Sequence, residues 1–276
     1  ISLTMAIGDH PWTKATKDSA AVRIAMTVAE AGTHDGLLLE VTHESGLDTD
    51  DPALELRESL GRINADLTVG VDLTSVIPLT ANDGMACNGM MLAGRGFVVS
   101  ASERDHFIAR DGDPVAEVIR PFINGSDLVR HWEGRYVIDL FGLKEDELRQ
   151  KYPAVFQHML QAVKPDRDKA RDKTFREKWW LFGRSRPQIR EGNSKLKRYI
   201  GTTETSKHRL FQFIDANVLP DHMIIAIASA EPFHLGVLSS RFHVPWALRA
   251  GGWLGMGNDP RYSKSRCFDP FPFPNC

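Results

Sequence analysis

Met223-Ile224-Ile225-Ala226-Ile227-Ala228 is a continuous apolar, β-branched run, the best strand in the chain, and Glu231-Pro232 follows it closely. Proline is tolerated in the first turn of a helix, where its missing N–H has no partner to lose. The spacing therefore predicts one helix over Phe233 to Leu248. Upstream, Arg135 to Leu140 reads as a strand and Lys144 to Val163 as a helix. In the latter, Leu148, Tyr152, Val155, Phe156, Met159, Leu160 and Val163 recur at three- and four-residue spacing. Pro153 falls inside that run and predicts two helical pieces. Ala20 to Val28 and Leu37 to Thr42 are further strand candidates. Residues 43–58 (HESGLDTDDPALELRE) read as an exposed acidic connection. Ser75 to Phe97 is glycine-rich and leads into Phe97-Val98-Val99, and no period of 20–50 residues repeats. The expected class is α+β with a mixed sheet.

The chain has 276 residues, 42% of them hydrophobic and 25% charged, which excludes a disordered tail, a collagen-like repeat or a disulfide scaffold. No apolar run approaches the roughly 20 residues that a membrane helix needs, so no membrane partner is expected. Ile1-Ser2-Leu3-Thr4 lacks a basic n-region and an apolar h-region. A start at Ile1 suggests a piece of a larger protein. Cys87, Cys267 and Cys276 form no even framework and no metal-ligand spacing, which points to a reducing, cytoplasmic compartment.

The formal net charge of −2 conceals a strong asymmetry. Residues 1–119 hold 8 basic and 19 acidic side chains, whereas residues 164–209 hold 15 basic and 6 acidic. A local excess of +9 in an otherwise acidic chain attracts polyanions. A solvated helix face balanced by acidic neighbours is the bland alternative. The segment is not low-complexity. It runs through Lys169, Arg171, Lys173 and Arg176 into Lys178-Trp179-Trp180-Leu181-Phe182-Gly183-Arg184-Ser185-Arg186-Pro187. Arginine suits bidentate contact with phosphate and guanine. Trp179 and Trp180 read as core packing, and the arginines flanking the turn as the contacts.

No catalytic constellation assembles. Asp269-Pro270-Phe271 lacks the second proline of the amino-methyltransferase tetrapeptide and lies in a Pro-rich tail. Gly94-Arg95-Gly96 and Gly255-Met256-Gly257 open no helix after a strand, as a dinucleotide loop must. There is no GxSxG, HExxH or phosphate-binding loop. Neither a cofactor nor a metal is expected on this chain, and no catalytic residue is assigned.

Four blocks carry a resemblance. They are Lys178–Gly183, Arg198–Arg209 (RYIGTTETSKHR), Leu235–His243 leading to Trp246, and Asn258–Pro274 (NDPRYSKSRCFDPFPFP). Together they resemble the target recognition domain of MmeI-like, type IIL restriction–modification enzymes, from about Pro78 to Pro274. The resemblance implies an enzyme that methylates adenine N6 with S-adenosylmethionine, and double-stranded DNA as partner. It also implies a covalently linked methyltransferase domain, with a nuclease domain in many members. Residues 1–77 would then be the C-terminal edge of the methyltransferase domain plus an acidic connector. Ile1 to Val28 would be that domain's last hairpin, with the Ala20–Val28 strand left without sheet partners. Residues 78–276 would be the recognition domain. The alternative is a stand-alone specificity or architectural subunit that docks onto separate catalytic chains.

Gly257 to Tyr262 reads as a loop, marked by Gly257 and Pro260. Asn258, Asp259 and Arg261 suit base edges: Asn pairs with adenine, Asp accepts from cytosine N4, and Arg forks onto guanine. Alternatively, Asp259 caps the loop and pairs with Arg261. The phosphate-contact candidates are Lys169, Arg171, Lys173, Arg176, Arg184, Arg186, Lys207, Arg209, Lys264 and Arg266.

Overall fold

The computed structural model describes residues 1–12, 22–47, 49, 53–254 and 259–274. It divides into two compact units, Ile1–Ile77 and Pro78–Cys276. The first unit is a four-stranded sheet of β1 (Ser2–Pro11), β2 (Arg23–Glu30), β3 (Gly36–Ser45) and β4 (Ala53–Gly61), in the order β2-β1-β3-β4. β1 pairs antiparallel with β2 and parallel with β3. The strand expected over Ala20 to Val28 thus begins at Arg23 and does have a partner on one side; Ala20 and Ala21 lie outside the described residues. The guanidinium of Arg23 bonds both Asp9 and Glu44, placing charge across the sheet. A small core of Ala6, Leu38 and Ile63 sits under it.

The acidic stretch 43–58 is not a plain connection. β3 and β4 pair antiparallel from Gly36↔Gly61 to Ser45↔Ala53, and residues 48 and 50–52 lie outside the described residues. Cross-strand pairing explains why so polar a sequence is extended. Glu40 faces Arg57, with Nη2 to Oε2 at 2.9 Å, and opposite charges across a strand pair stabilise it.

The second unit begins with β5 (Ala86–Asn88), β6 (Val98–Val99), α1 (Ala101–Asp111), β7 (Ile119–Ile123) and β8 (Tyr136–Ile138). Helices α2 (Glu145–Lys151), α3 (Pro153–Ala162), α4 (Lys164–Asp168), α5 (Lys173–Glu177) and α6 (Pro187–Asn193) follow. The chain returns to strand in β9 (Arg198–Thr203), β10 (Gln212–Asp215), β11 (Leu219–Pro220) and β12 (Ile224–Ile227). It ends in α7 (Pro232–Leu238), α8 (His243–Gly251), β13 (Trp253–Leu254) and β14 (Asp259–Pro260). The central sheet has the order β10-β9-β12-β5, and a second sheet the order β11-β7-β8-β6. Helices beside mixed and antiparallel sheets make this an α+β fold.

Local rules account for the boundaries. Ser100 and Glu103 form a capping box at the start of α1. Pro153 does split the Lys144–Val163 run. The Asp111 carboxylate accepts the Ala154 and Val155 N–H groups at 2.9 and 3.1 Å, capping α3 where it restarts. The single helix expected over Phe233 to Leu248 is two helices instead. The Ser240 hydroxyl accepts the N–H groups of Phe242 and His243, both at 3.2 Å, so the chain turns and starts α8 anew.

The main core runs from Met90 and Phe97 through Val137, Met159 and Trp179 to Ile224. Trp179 is 3% exposed and the Trp180 indole donates to the Leu143 carbonyl at 3.0 Å, so both tryptophans serve the interior. A second core holds Ile200, Phe211, Ile227, Tyr262 and Phe268, with His243 among the aromatics. His243 is fully buried and lies 3.0 Å from the Tyr262 hydroxyl through Nε2, while its Nδ1 has no partner among the described residues. Burial, aided by the Arg209 charge, pushes its pKa down from 6.5 to about 4. The unfolded chain therefore binds the proton first. This stability is complete above about pH 6.5 and is lost as pH falls toward 4, by about 3 kcal/mol for a shift of this size. Urea unfolding at pH 7.5, 5.5 and 4.5 should show that loss in the wild type and a flatter dependence in His243→Gln. Parallel curves for the two proteins would contradict the assignment.

Candidate nucleic-acid interface

One end of the central sheet gathers polar side chains on a rigid backbone. Beyond Thr203 the chain stays pinned: Glu204 N–H donates to the Met223 carbonyl at 2.6 Å, and Tyr262 N–H to the Glu204 carbonyl at 2.6 Å. Thr205 and Arg261 form an antiparallel bridge. The Glu204 carboxylate, 12% exposed, accepts from Arg261 Nε at 2.8 Å and Nη2 at 2.6 Å. Its other oxygen takes Asn88 Nδ2 at 3.2 Å, and the same amide reaches the His222 carbonyl. Arg261 keeps 47% of its side chain exposed. It is a cation held by a half-buried carboxylate and presented to solvent.

The neighbouring backbone needs a glycine. A Cβ at Gly89 would lie 2.2 Å from the Asp221 carbonyl oxygen, so β5 can approach the β11–β12 connection only without a side chain there. Arg186 has a left-handed backbone (φ 49°) and donates from Nε to the Gly89 carbonyl at 3.2 Å. Arg184, exposed, pairs its backbone with Met91.

The base-edge candidates divide. Asn258 lies outside the described residues. Asp259 is half-buried and belongs to β14, paired with Leu254; the described part of the expected loop is therefore a strand edge. Arg261 pairs with Glu204, fifty-seven residues away, and not with Asp259.

The phosphate candidates divide as well. Lys169, Arg171, Lys173, Lys207 and Arg266 are exposed. Lys173 makes only a loose pair with Glu177, at 3.4 Å. Arg176 turns back, Nη1 donating to the Ala170 and Arg171 carbonyls at 2.6 and 3.0 Å. Lys264 holds Asp269 at 2.9 Å. Arg209 is spent on structure: it donates to Thr202 Oγ1, to the Thr203 carbonyl and, at 3.0 Å, to the Pro260 carbonyl. Burial pushes its pKa down. The +9 of residues 164–209 is therefore not one patch, because Arg167 and Arg190 also point into the fold.

A cleft of about 930 Å³ opens beside this sheet end, lined by Arg95, Asn124, Ser126, Asp166, Thr203 and Asp221 among others. Asp166 is in α4, and the exposed Lys169, Arg171 and Lys173 follow that helix in the chain. Arg95 is exposed there and is a candidate that sequence reasoning misses, as are Asn88 and Glu204. Arg95 lies within the Gly94-Arg95-Gly96 pair, set aside above as no cofactor loop; Glu204 lies within the Arg198–Arg209 block, and its role depends on Arg261. Among the described residues no three His, Cys, Asp or Glu side chains stand together to hold a metal. No helix among them is long and apolar enough to cross a membrane.

The family model of the MmeI target recognition domain matches residues 74–275. No curated protein matches the chain. Among solved structures, that of the type IIL restriction-modification enzyme MmeI in complex with DNA is similar, with a TM-score of 0.69 and 22% identity. The match covers 97% of this chain and 35% of that one, so the chain spans about a third of that protein's length.

Proposed function

This chain belongs to the family of MmeI target recognition domains, and from that premise we propose that it reads DNA sequence for a restriction–modification enzyme. The observation that carries the reading is the Glu204-braced Arg261 at the sheet end, with Asp259 two residues before it. A planar cation fixed in orientation and open to solvent is what bidentate reading of guanine requires. The solved relative is a complex with DNA, which agrees with double-stranded DNA as the partner.

The rest of the proposal follows from the same family. Ile1–Ile77 is the edge of a methyltransferase domain with its connector. That domain binds S-adenosylmethionine and methylates adenine N6, in the cytoplasm. Any nuclease activity belongs to a further domain. On this reading Arg266, Lys207, Arg184 and the Lys169–Lys173 group contact phosphate.

Selection of bound duplexes from a random-sequence pool tests the proposal. Enrichment of one short motif is expected; salt-sensitive binding without enrichment would reduce the surface to a nonspecific basic one. Salt dependence supplies a second prediction. Removing one phosphate-binding cation should lower the slope of log affinity against log salt by about 0.9. A Lys169→Ala, Arg171→Ala, Lys173→Ala triple variant should therefore flatten it by about 2–3 in binding titrations. An unchanged slope would remove these three residues from the interface.

A further inference from the structure

We propose that Arg95 and Asp166, which line the cleft together, are a second reading pair that recognises one G·C base pair, Arg95 at guanine and Asp166 at cytosine. The inference rests on the DNA-reading proposal above and extends it beyond the sheet end. Four charged residues line the cleft: Arg95, Arg135, Asp166 and Asp221. Two of them are spent within the fold. Arg135 pairs with Asp127 at 2.6 Å and with Glu133 at 3.1 Å. The Asp221 carboxylate accepts the Met223 N–H at 2.9 Å and stands 2.9 Å from the His222 ring Nδ1. Arg95 and Asp166 are exposed, and among the described residues their side chains make no hydrogen bond or ion pair, with each other or with any neighbour. The four charges cancel, so the cleft presents no field for phosphate. What it offers is one planar donor and one acceptor.

The backbone beneath them is fixed, as a base reader requires. Arg167, 2% exposed, donates from Nη2 to the Leu92 and Leu181 carbonyls, both at 3.0 Å, which ties α4 to the segment leading into Arg95. A Cβ at Gly96 would lie 2.5 Å from the Ala162 carbonyl oxygen, so the turn carrying Arg95 sits directly on the end of α3. His158 Nε2 donates to the Gly96 carbonyl at 2.9 Å from the same helix. Thr205 supplies the connection to the sheet end: it lines the cleft and pairs its backbone with Arg261, which follows β14 in the two-stranded β13–β14 ribbon. A duplex that reaches Arg261 therefore reaches the mouth of the cleft as well. In the major groove guanine presents O6 and N7 to an arginine fork, and its paired cytosine presents N4 to a carboxylate. An arginine and an aspartate held on joined segments, with no ion pair between them, match that edge.

The test is selection of duplexes from a random-sequence pool by the intact protein and its Arg95→Ala, Arg95→Lys and Asp166→Asn variants. Both side chains are exposed and unpartnered, so the variants should fold as the wild type does. The wild type should enrich a motif containing a G·C pair at which Arg95→Ala and Asp166→Asn each lose about tenfold of the preference, with the other positions unchanged. Arg95→Lys should lose it too, because an ammonium group cannot fork, while its salt dependence stays that of the wild type. Asp166→Asn separates reading from bulk charge. A merely electrostatic role predicts tighter binding to all sequences and an unchanged motif, which would overturn the inference. An unchanged motif in Arg95→Ala, or effects of the two residues at different base pairs, would overturn it as well. So would a wild-type motif in Arg95→Lys with a flattened salt slope in Arg95→Ala, the mark of a phosphate contact. Each of these outcomes leaves reading by Arg261 standing, whereas the absence of any motif enriched by the wild type would overturn both.

Discussion

An Asp139→Ala variant should unfold about 3–5 kcal/mol more easily than the wild type, the cost of removing one partner from a buried ion pair. Asp139 is 8% exposed and follows β8; its N–H donates to the Val118 carbonyl at 2.7 Å. Its carboxylate takes Arg190 of α6 through both oxygens, at 2.7 and 2.9 Å, with Arg120 of β7 at 3.8 Å. Arg190 and Arg120 are only 15% and 25% exposed in their side chains. Without the carboxylate, two guanidinium groups would face each other half-buried and unpaired. Their neighbours cannot compensate, because Arg120 already donates to the Ala216 and Asn217 carbonyls and Arg190 to Ser185. For a unit of this size the loss corresponds to roughly 6–20 °C in the melting temperature. Calorimetry of the wild type, Asp139→Ala and an Asp139→Leu/Arg190→Met double variant separates the causes. The double variant should recover much of the loss, since an apolar pair of similar volume leaves fewer charges stranded. A drop under about 1 kcal/mol in Asp139→Ala, the range of an exposed pair, would show that water satisfies the arginines. The consequence reaches the candidate interface, because α6 follows Arg184 and Arg186 directly in the chain.

The same buried pair marks what the sequence could and could not convey. The helical periodicity of Lys144–Val163 and the interruption at Pro153 are local properties, and both are legible. So is Met223–Ala228 as a buried strand, since all four residues of β12 are apolar and β-branched or small. The break between α7 and α8 depends on one hydroxyl, Ser240, competing for two N–H groups, and no periodicity announces that. The β3–β4 hairpin looks like a loop because its acidic residues are counted singly. Only register shows that Glu40 meets Arg57. Charge counting finds the basic segment, but charge carries no direction. Arg167 is 2% exposed and donates to the Leu92 and Leu181 carbonyls, whereas Lys169, two residues on, is exposed. Glu204 stays hidden as a site residue for a related reason. Its significance is the partner it acquires across fifty-seven residues, which composition cannot supply.

Replacing Arg261 should change which base is preferred at one position of the recognised site, by about 1–3 kcal/mol of discrimination. The geometry gives the reason. Glu204 occupies the Nε–Nη2 edge of the guanidinium, at 2.8 and 2.6 Å through a single oxygen. The Nη1–Nη2 edge is the one left to fork onto guanine O6 and N7. Lysine cannot make that fork, so Arg261→Lys should relax the position nearly as far as alanine does. Asp259, on the same face of the ribbon, should govern a cytosine in the same way through its N4 amino group. Glu204→Gln keeps the shape but removes the charge that orients Arg261. It should weaken the same preference without creating a new one. Lys207→Ala is the control: an exposed cation on phosphate should lower occupancy at all sequences alike. Sequencing of methylated DNA made by full-length variants reads each case. Altered sites in the Arg261 and Asp259 variants, with an unaltered site in Lys207→Ala, are the expected pattern. If Arg261, Asp259 and Glu204 substitutions all lower activity evenly and leave the site unchanged, the sheet end is scaffold. The readers would then be sought along the cleft, beginning with the exposed Arg95 and with Asn124.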